Sequence, residues 1–196
     1  MIEATGATLL AHANAKDRIP GIDRGLAAGD RITVGKSVEL EALDTPGHTM
    51  SHVCLLSHTE QPALFCGDTL FIACAGNCHN GGHPEELYDT FATQLSKLPG
   101  STRVYPGHDY WRNNLEFTRD REPDNERAKA MLNESGTEDP ENALVSTLEL
   151  EKEVNTFFRL HSPSVIAALR QSFPELPEAP DPRTVFVKLR ELRNEW

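Results

Sequence analysis

The sequence predicts an α+β chain, strand-rich over residues 1–110 and largely helical over residues 111–196. Three observations carry that division. Arg31-Ile32-Thr33-Val34 and Val38-Glu39-Leu40-Glu41-Ala42-Leu43 alternate apolar with polar around Gly35-Lys36-Ser37, a β-hairpin pattern. Other short apolar runs, such as Ala63-Leu64-Phe65-Cys66, stop at turn residues after a few positions. Beyond Tyr110 the pattern becomes helical, and Ser162-Pro163 and Asp181-Pro182 each set a capping side chain before a proline.

Taken in order, residues 7–12 are expected as a short strand, followed by a charged, glycine-rich loop from Lys16 to Asp30. The hairpin ends at Asp44. His52-Val53-Cys54-Leu55-Leu56 is the next strand, 57–62 its turn, and Ala63 to Cys66 pairs back. Residues 74–83, rich in Gly, Asn and His, are expected to hold no element. Pro84, Glu85 and Glu86 open a helix. Its Leu87, Phe91, Leu95 and Leu98 bury one face, and Pro99-Gly100 ends it. Arg103-Val104-Tyr105 is a strand. Trp111 to Asp120 and Asp124 to Asn133 read as helices, and Glu134 to Asn142 as a linker. In the last helix Val185, Leu189, Leu192 and Trp196 form an apolar stripe, with Phe186, Arg190 and Arg193 on the adjacent face.

Composition narrows the function. The formal charge of −11 disfavours nucleic acid and anionic membrane as partners, because both need clustered Lys and Arg. No apolar run approaches the roughly 20 residues of a membrane span. The N-terminus lacks a basic region followed by an apolar core, so a cytoplasmic protein is expected. The four cysteines make no disulfide framework, and Cys54 and Cys66 read as buried small hydrophobes. There is no G-x-S-x-G elbow and no phosphate-cradling glycine motif. Cys74 and Cys78 lie near His79, but nothing in their glycine-rich loop activates a thiol.

Three strand-end loops remain. Thr45-Pro46-Gly47-His48-Thr49 and Tyr105-Pro106-Gly107-His108-Asp109-Tyr110 each set a histidine after a Pro-Gly turn. Between them, Gly67-Asp68-Thr69-Leu70-Phe71 places a carboxylate just past a buried strand, a costly position without a cation nearby. His48, Asp68 and His108 are therefore expected to converge on a metal site with Asp68 central. That donor set suits Zn, Fe or Mn, and an aspartate can bridge two ions. Tyr110 trails His108 by two residues and projects near the same site. Arg190 and Arg193 read either as a solvated helix face or as a clamp for a carboxylate. His12, His52, His58 and His161 have ordinary structural readings, with His52 placed to support His48.

The motifs Thr45 to Thr49 with His52, Phe65 to Phe71, and Tyr105 to Tyr110 with Asn113-Asn114-Leu115 together resemble glyoxalase II, the hydroxyacylglutathione hydrolase family of the metallo-β-lactamase fold. Phe186 to Trp196 resembles that family's last helix. The resemblance implies a partial αββα sandwich over residues 1–110, followed by a C-terminal helical, substrate-binding domain over 111–196. It implies a thioesterase with a two-zinc centre, Fe and Mn being alternatives, that uses a metal-bound hydroxide to turn S-D-lactoylglutathione into glutathione and D-lactate. His48 matches a ligand of the first metal, Asp68 the bridging, catalytic carboxylate, and His108 a ligand of the second. Tyr110 matches the tyrosine at the glutathione, and Arg190 and Arg193 the pair that holds its glycine carboxylate. Asn77 and His79 stand where the family has a lysine and a tyrosine. The family's H-x-H-x-D-H motif has no counterpart, since the chain contains no H-x-H. An N-terminally incomplete enzyme of impaired activity is expected. It would be a monomer, or would self-associate through an exposed sheet edge. The other readings are a non-catalytic remnant that binds glutathione or a partner chain, and an enzyme like the glutathione persulfide dioxygenases.

Overall fold

The computed structural model describes residues 2–134 and 143–196. The first half holds a single helical turn α1 (Ile2–Thr5), then β1 (Leu10–His12), β2 (Arg24–Leu26), β3 (Arg31–Val34), β4 (Val38–Asp44) and β5 (Val53–Ser57). β6 (Ala63–Gly67), β7 (Leu70–Phe71), β8 (Cys74–Ala75), α2 (Pro84–Thr93) and β9 (Arg103–Pro106) follow. The second half holds α3 (Trp111–Arg121), α4 (Glu126–Glu134), β10 (Ser146–Thr147), α5 (Leu148–Val154), α6 (Pro163–Ser172) and α7 (Pro182–Glu195). Of the linker expected at 134–142, residues 135–142 lie outside the described residues.

The main sheet runs β10-β9-β6-β5-β4-β3. The expected hairpin forms with Ile32 opposite Leu40, and Ala63 to Phe65 pairs back on Leu55 to Ser57. Side chains alternate across the sheet. Cys54, Leu56, Leu64, Cys66 and Val104 face the helices and join Leu87, Phe91, Phe157, Phe186 and Leu189 in one core. Phe186 of α7 fixes the two halves together, its ring 5.7, 5.2 and 5.0 Å from those of Tyr88, Phe91 and Phe157. Aromatic contacts of this kind add about 0.5–1.5 kcal/mol each beyond the area they bury.

The opposite face is covered less. Leu26, Ile32, Leu40 and Ala42 form a small cluster there with Leu10, Val53 and Leu55. Phe65, Val34 and Val38 stay largely exposed, and among the described residues β3 is an edge strand of the sheet.

Several elements differ from expectation. The loop 16–30 contains β2, which pairs in parallel with β1. Residues 74–83 do contribute an element, because Cys74–Ala75 folds back on Leu70–Phe71. The helix begun at Pro84 stops at Thr93 and tightens into a 3-10 turn over Leu95–Lys97. Leu98 must be extended ahead of Pro99 (φ −67°, ψ 152°), which the α conformation does not allow. Helix α5 was not apparent in Leu148-Glu149-Leu150-Glu151-Lys152-Glu153-Val154, whose alternation hides a helix capped by Thr147 Oγ1 on the Leu150 amide. Trp196 leaves the apolar stripe half-exposed and packs edge-on against Phe117 instead.

Candidate metal centre

The topology itself brings the three loops together. β5 is antiparallel to both β4 and β6, and β9 is parallel to β6. The chain therefore leaves β4, β6 and β9 at the same end of the sheet, where the His48, Asp68 and His108 loops emerge. Gly107 N–H donates to Gly67 O at 2.9 Å, tying the last two loops side by side. Gly47 has φ +144°, and a Cβ there would lie 2.4 Å from Leu87 Cα, so only glycine lets the His48 loop sit on α2. At Gly107 a Cβ would lie 2.6 Å from Asp68 Oδ1, so a missing side chain makes room for the carboxylate.

His48 Nε2 is 3.6 Å from Asp68 Oδ2, and His108 Nε2 is 3.5 Å from Asp68 Oδ1. Two donors each 2.0–2.2 Å from one ion in near-tetrahedral array stand roughly 3.3–3.6 Å apart. Each gap thus has the span of a shared ion, and the two gaps use different oxygens of one carboxylate. Among the described residues, no three His, Cys, Asp or Glu side chains gather into a cluster that would enclose one ion. The arrangement is two histidine–carboxylate pairs sharing Asp68, and not a closed trio.

Supporting contacts orient the rings. His48 Nδ1 is 2.6 Å from Asn77 O, which leaves Nε2 to face Asp68. His108 is stacked on Tyr110, ring centres 5.2 Å apart, and lies near Phe71. His52 Nδ1 sits between the hydroxyls of Thr45 and Thr69, at 3.0 and 2.9 Å. Burial, and then the neighbouring His48, lowers His52 to about 4, so its ring is neutral at pH 7. Burial raises the Cys54 and Cys78 thiols to about 11, which removes both as nucleophiles.

Beside the centre lies a cleft of about 190 Å³ lined by Phe71, Asn77, His79, Tyr110, Arg190 and Arg193. All five residues expected at a substrate therefore share one cleft, but they do not present equal faces. Tyr110 and His79 are exposed. Asn77 Oδ1 accepts the His79 amide. Arg190 is buried, and its Nη1 donates to Ala75 O at 2.6 Å and Gly76 O at 3.2 Å. Arg193 has more to offer a ligand. Its Nη2 donates to Asn114 Oδ1 at 3.2 Å, while its buried Nε has no partner among the described residues. Asn114, which fixes Arg193 and also donates to Ile72 O, was foreshadowed only as part of the Asn113-Asn114-Leu115 run.

Comparison with known proteins gives first the class. Over 98% of the chain the structure is similar to ETHE1 from Myxococcus xanthus, with a TM-score of 0.61, 23% identity and 61% of that protein covered. It is similar over 97% to a metallo-beta-lactamase from Staphylococcus aureus, with a TM-score of 0.58, 20% identity and 51% of that protein covered. The fold is that of the metallo-β-lactamases. The family follows from sequence. The profile described as hydroxyacylglutathione hydrolase C-terminus matches residues 109–196. All 196 residues align with a hydroxyacylglutathione hydrolase of Nitrosococcus oceani at 63% identity and with one of Polaromonas sp. at 66%, spanning 74% of each. The chain belongs to the hydroxyacylglutathione hydrolase family.

Proposed function

We propose that the chain hydrolyses hydroxyacyl thioesters of glutathione, releasing glutathione and the hydroxy acid, at a centre held by His48, Asp68 and His108. The observation that carries this is the division of Asp68, one oxygen toward each histidine at metal-sharing distance. The nitrogen and oxygen donors fit zinc, and also iron or manganese. The chemistry a bound metal supplies is polarisation of the thioester carbonyl and a water made acidic near neutral pH.

The chain's own residues do the rest. Asp68 holds both halves of the centre in register, and Asn77 O keeps His48 turned toward it. Arg193, steadied by Asn114, takes a carboxylate of the glutathione, while Tyr110 offers a hydroxyl and a ring face at the mouth of the cleft. Arg190 acts from beneath, by pinning the carbonyls of Ala75 and Gly76. Asn77 and His79 line the same wall. Residues 1–110 thus carry the metal centre and 111–196 the basic side of the substrate cleft. The exposed β3 edge and open sheet face favour self-association, which sedimentation at several concentrations would show.

Two protein donors per ion is one fewer than a catalytic zinc normally has. This sets the expected result for the 196-residue chain assayed with S-D-lactoylglutathione. Turnover should require added Zn or Mn, fall well below the ~10 s⁻¹ typical of enzymes, and vanish in Asp68→Ala. Turnover that survives chelation, or survives Asp68→Ala, would overturn the proposal.

A further inference from the structure

Ala73 is the only non-glycine residue with positive φ among the described residues, at 60°. It stands at the turn of the β7–β8 hairpin, in the position where tight turns normally require glycine. An L residue stays in that conformation only when its surroundings hold it. Here they do, over five consecutive residues. Ile72 O accepts from Asn114 Nδ2 at 2.9 Å, and Ala73 N–H donates to Glu151 Oε2 at 2.9 Å. Cys74 O accepts from Asn155 Nδ2 at 3.3 Å, and Ala75 O and Gly76 O accept from Arg190. Every one of these side chains comes from α3, from α5 and the residue that caps it, or from α7.

The arm that is held this way ends at the candidate centre. Gly76 N–H donates to Thr69 O at 3.1 Å, next to Asp68, and Asn77 O meets His48 Nδ1 at 2.6 Å. A Cβ on Gly76 would lie 1.8 Å from Asp68 O, so the arm rests directly on the Asp68 backbone. A shift of the arm therefore reaches both a histidine and the shared carboxylate.

We propose that Glu151 is a positioning residue for the candidate metal centre, acting through the Ala73 amide and the 72–77 arm. The inference rests on the reading of His48 and Asp68 as metal ligands. Glu151 is completely buried, and its Oε2 takes both the Ala73 amide and Asn155 Nδ2, the latter at 2.9 Å. It is the acceptor that joins the strained residue to the asparagine holding the next carbonyl. Burial pushes its carboxyl up to about 7, so at pH 7 about half of the group is in the neutral form. Glutamine reproduces that acceptor, and leucine fills the same space without it.

The test is zinc affinity of the full chain, measured by chelator competition at pH 7 and below the melting temperature of each variant. Glu151→Leu should weaken zinc binding about 10-fold, in the range that loss of an orienting partner produces, while Glu151→Gln stays within about 3-fold of wild type. Equal affinity in wild type and Glu151→Leu would overturn the inference. So would failure of Glu151→Gln to restore an affinity lost in Glu151→Leu. Amide hydrogen exchange is read in parallel, without metal. Gly76 and Asn77 should exchange faster in Glu151→Leu and normally in Glu151→Gln, and unchanged exchange in both would again overturn it. If Glu151→Leu does not fold, Glu151→Asp withdraws the acceptor from Ala73 by one methylene and takes its place. A wild type that binds no zinc would refute the metal reading itself, leaving the exchange result to decide whether Glu151 holds the arm.

Discussion

The Glu151 carboxyl also makes a stability prediction with a definite sign. Burial is the main cause that lifts it from 4.5 to about 7, against the opposing influence of Ser146, Asn155 and the Ala73 amide. The folded protein thus keeps a proton that the unfolded chain releases near pH 4.5. The contribution to stability is full below pH 4.5, falls as pH rises, and is lost above about pH 7. At about 1.4 kcal/mol per pH unit, the change is on the order of 3 kcal/mol. Glu151→Gln keeps the shape and has no proton to lose. Urea unfolding of wild type and variant between pH 4.5 and 8, compared at each pH, cancels the other titrating groups. The variant should match wild type at the acid end and exceed it by on the order of 3 kcal/mol at pH 8. A difference that is flat across this range, or that grows toward acid, would refute the reasoning.

Three further outcomes follow from other contacts. Glu122 is buried, and Arg159 holds it from Nε and Nη2 at 2.6 and 2.7 Å, with Ser162 and Asn125 adding further hydrogen bonds. Burial alone would raise this carboxyl, but those hydrogen bonds lower it. Its stabilisation is present above the ordinary carboxylate pKa and is lost as pH falls. Arg159→Met should cost about 3 kcal/mol in urea unfolding at pH 7, because it leaves a buried charge unpaired. Gly107→Ala should weaken zinc affinity about 10-fold by pressing on Asp68 Oδ1, while the melting temperature changes little. Arg193→Gln should raise KM for the glutathione thioester about 10-fold with kcat nearly unchanged, as expected for an interaction made equally in ground and transition states.

The meeting of His48, Asp68 and His108 was legible in the sequence because each stands on a short loop after an apolar strand. Order along the chain then suffices, since β4, β6 and β9 must run the same way in a sheet of this topology. The arm behind the centre was not legible. Glu151 lies in a charged run with two other acidic residues, Glu149 and Glu153, and nothing in that run marks it for burial. Its burial depends on where α5 packs, which local pattern does not encode. Arg190 shows the same limit from the other side. Its place at a substrate was implied by the family resemblance, but its use depended on whether residues 75 and 76 turned their carbonyls toward it. Asn155, outside any motif, became visible only as the partner of both Glu151 and Cys74 O.

The proposed centre depends on Asp68 presenting one oxygen toward each histidine. Anomalous scattering at the zinc edge, from crystals of the chain soaked in zinc, examines that directly. The expected map has one peak between His48 Nε2 and Asp68 Oδ2 and a second between His108 Nε2 and Asp68 Oδ1. Zinc that binds away from Asp68, or that reaches the two histidines without it, would contradict the account.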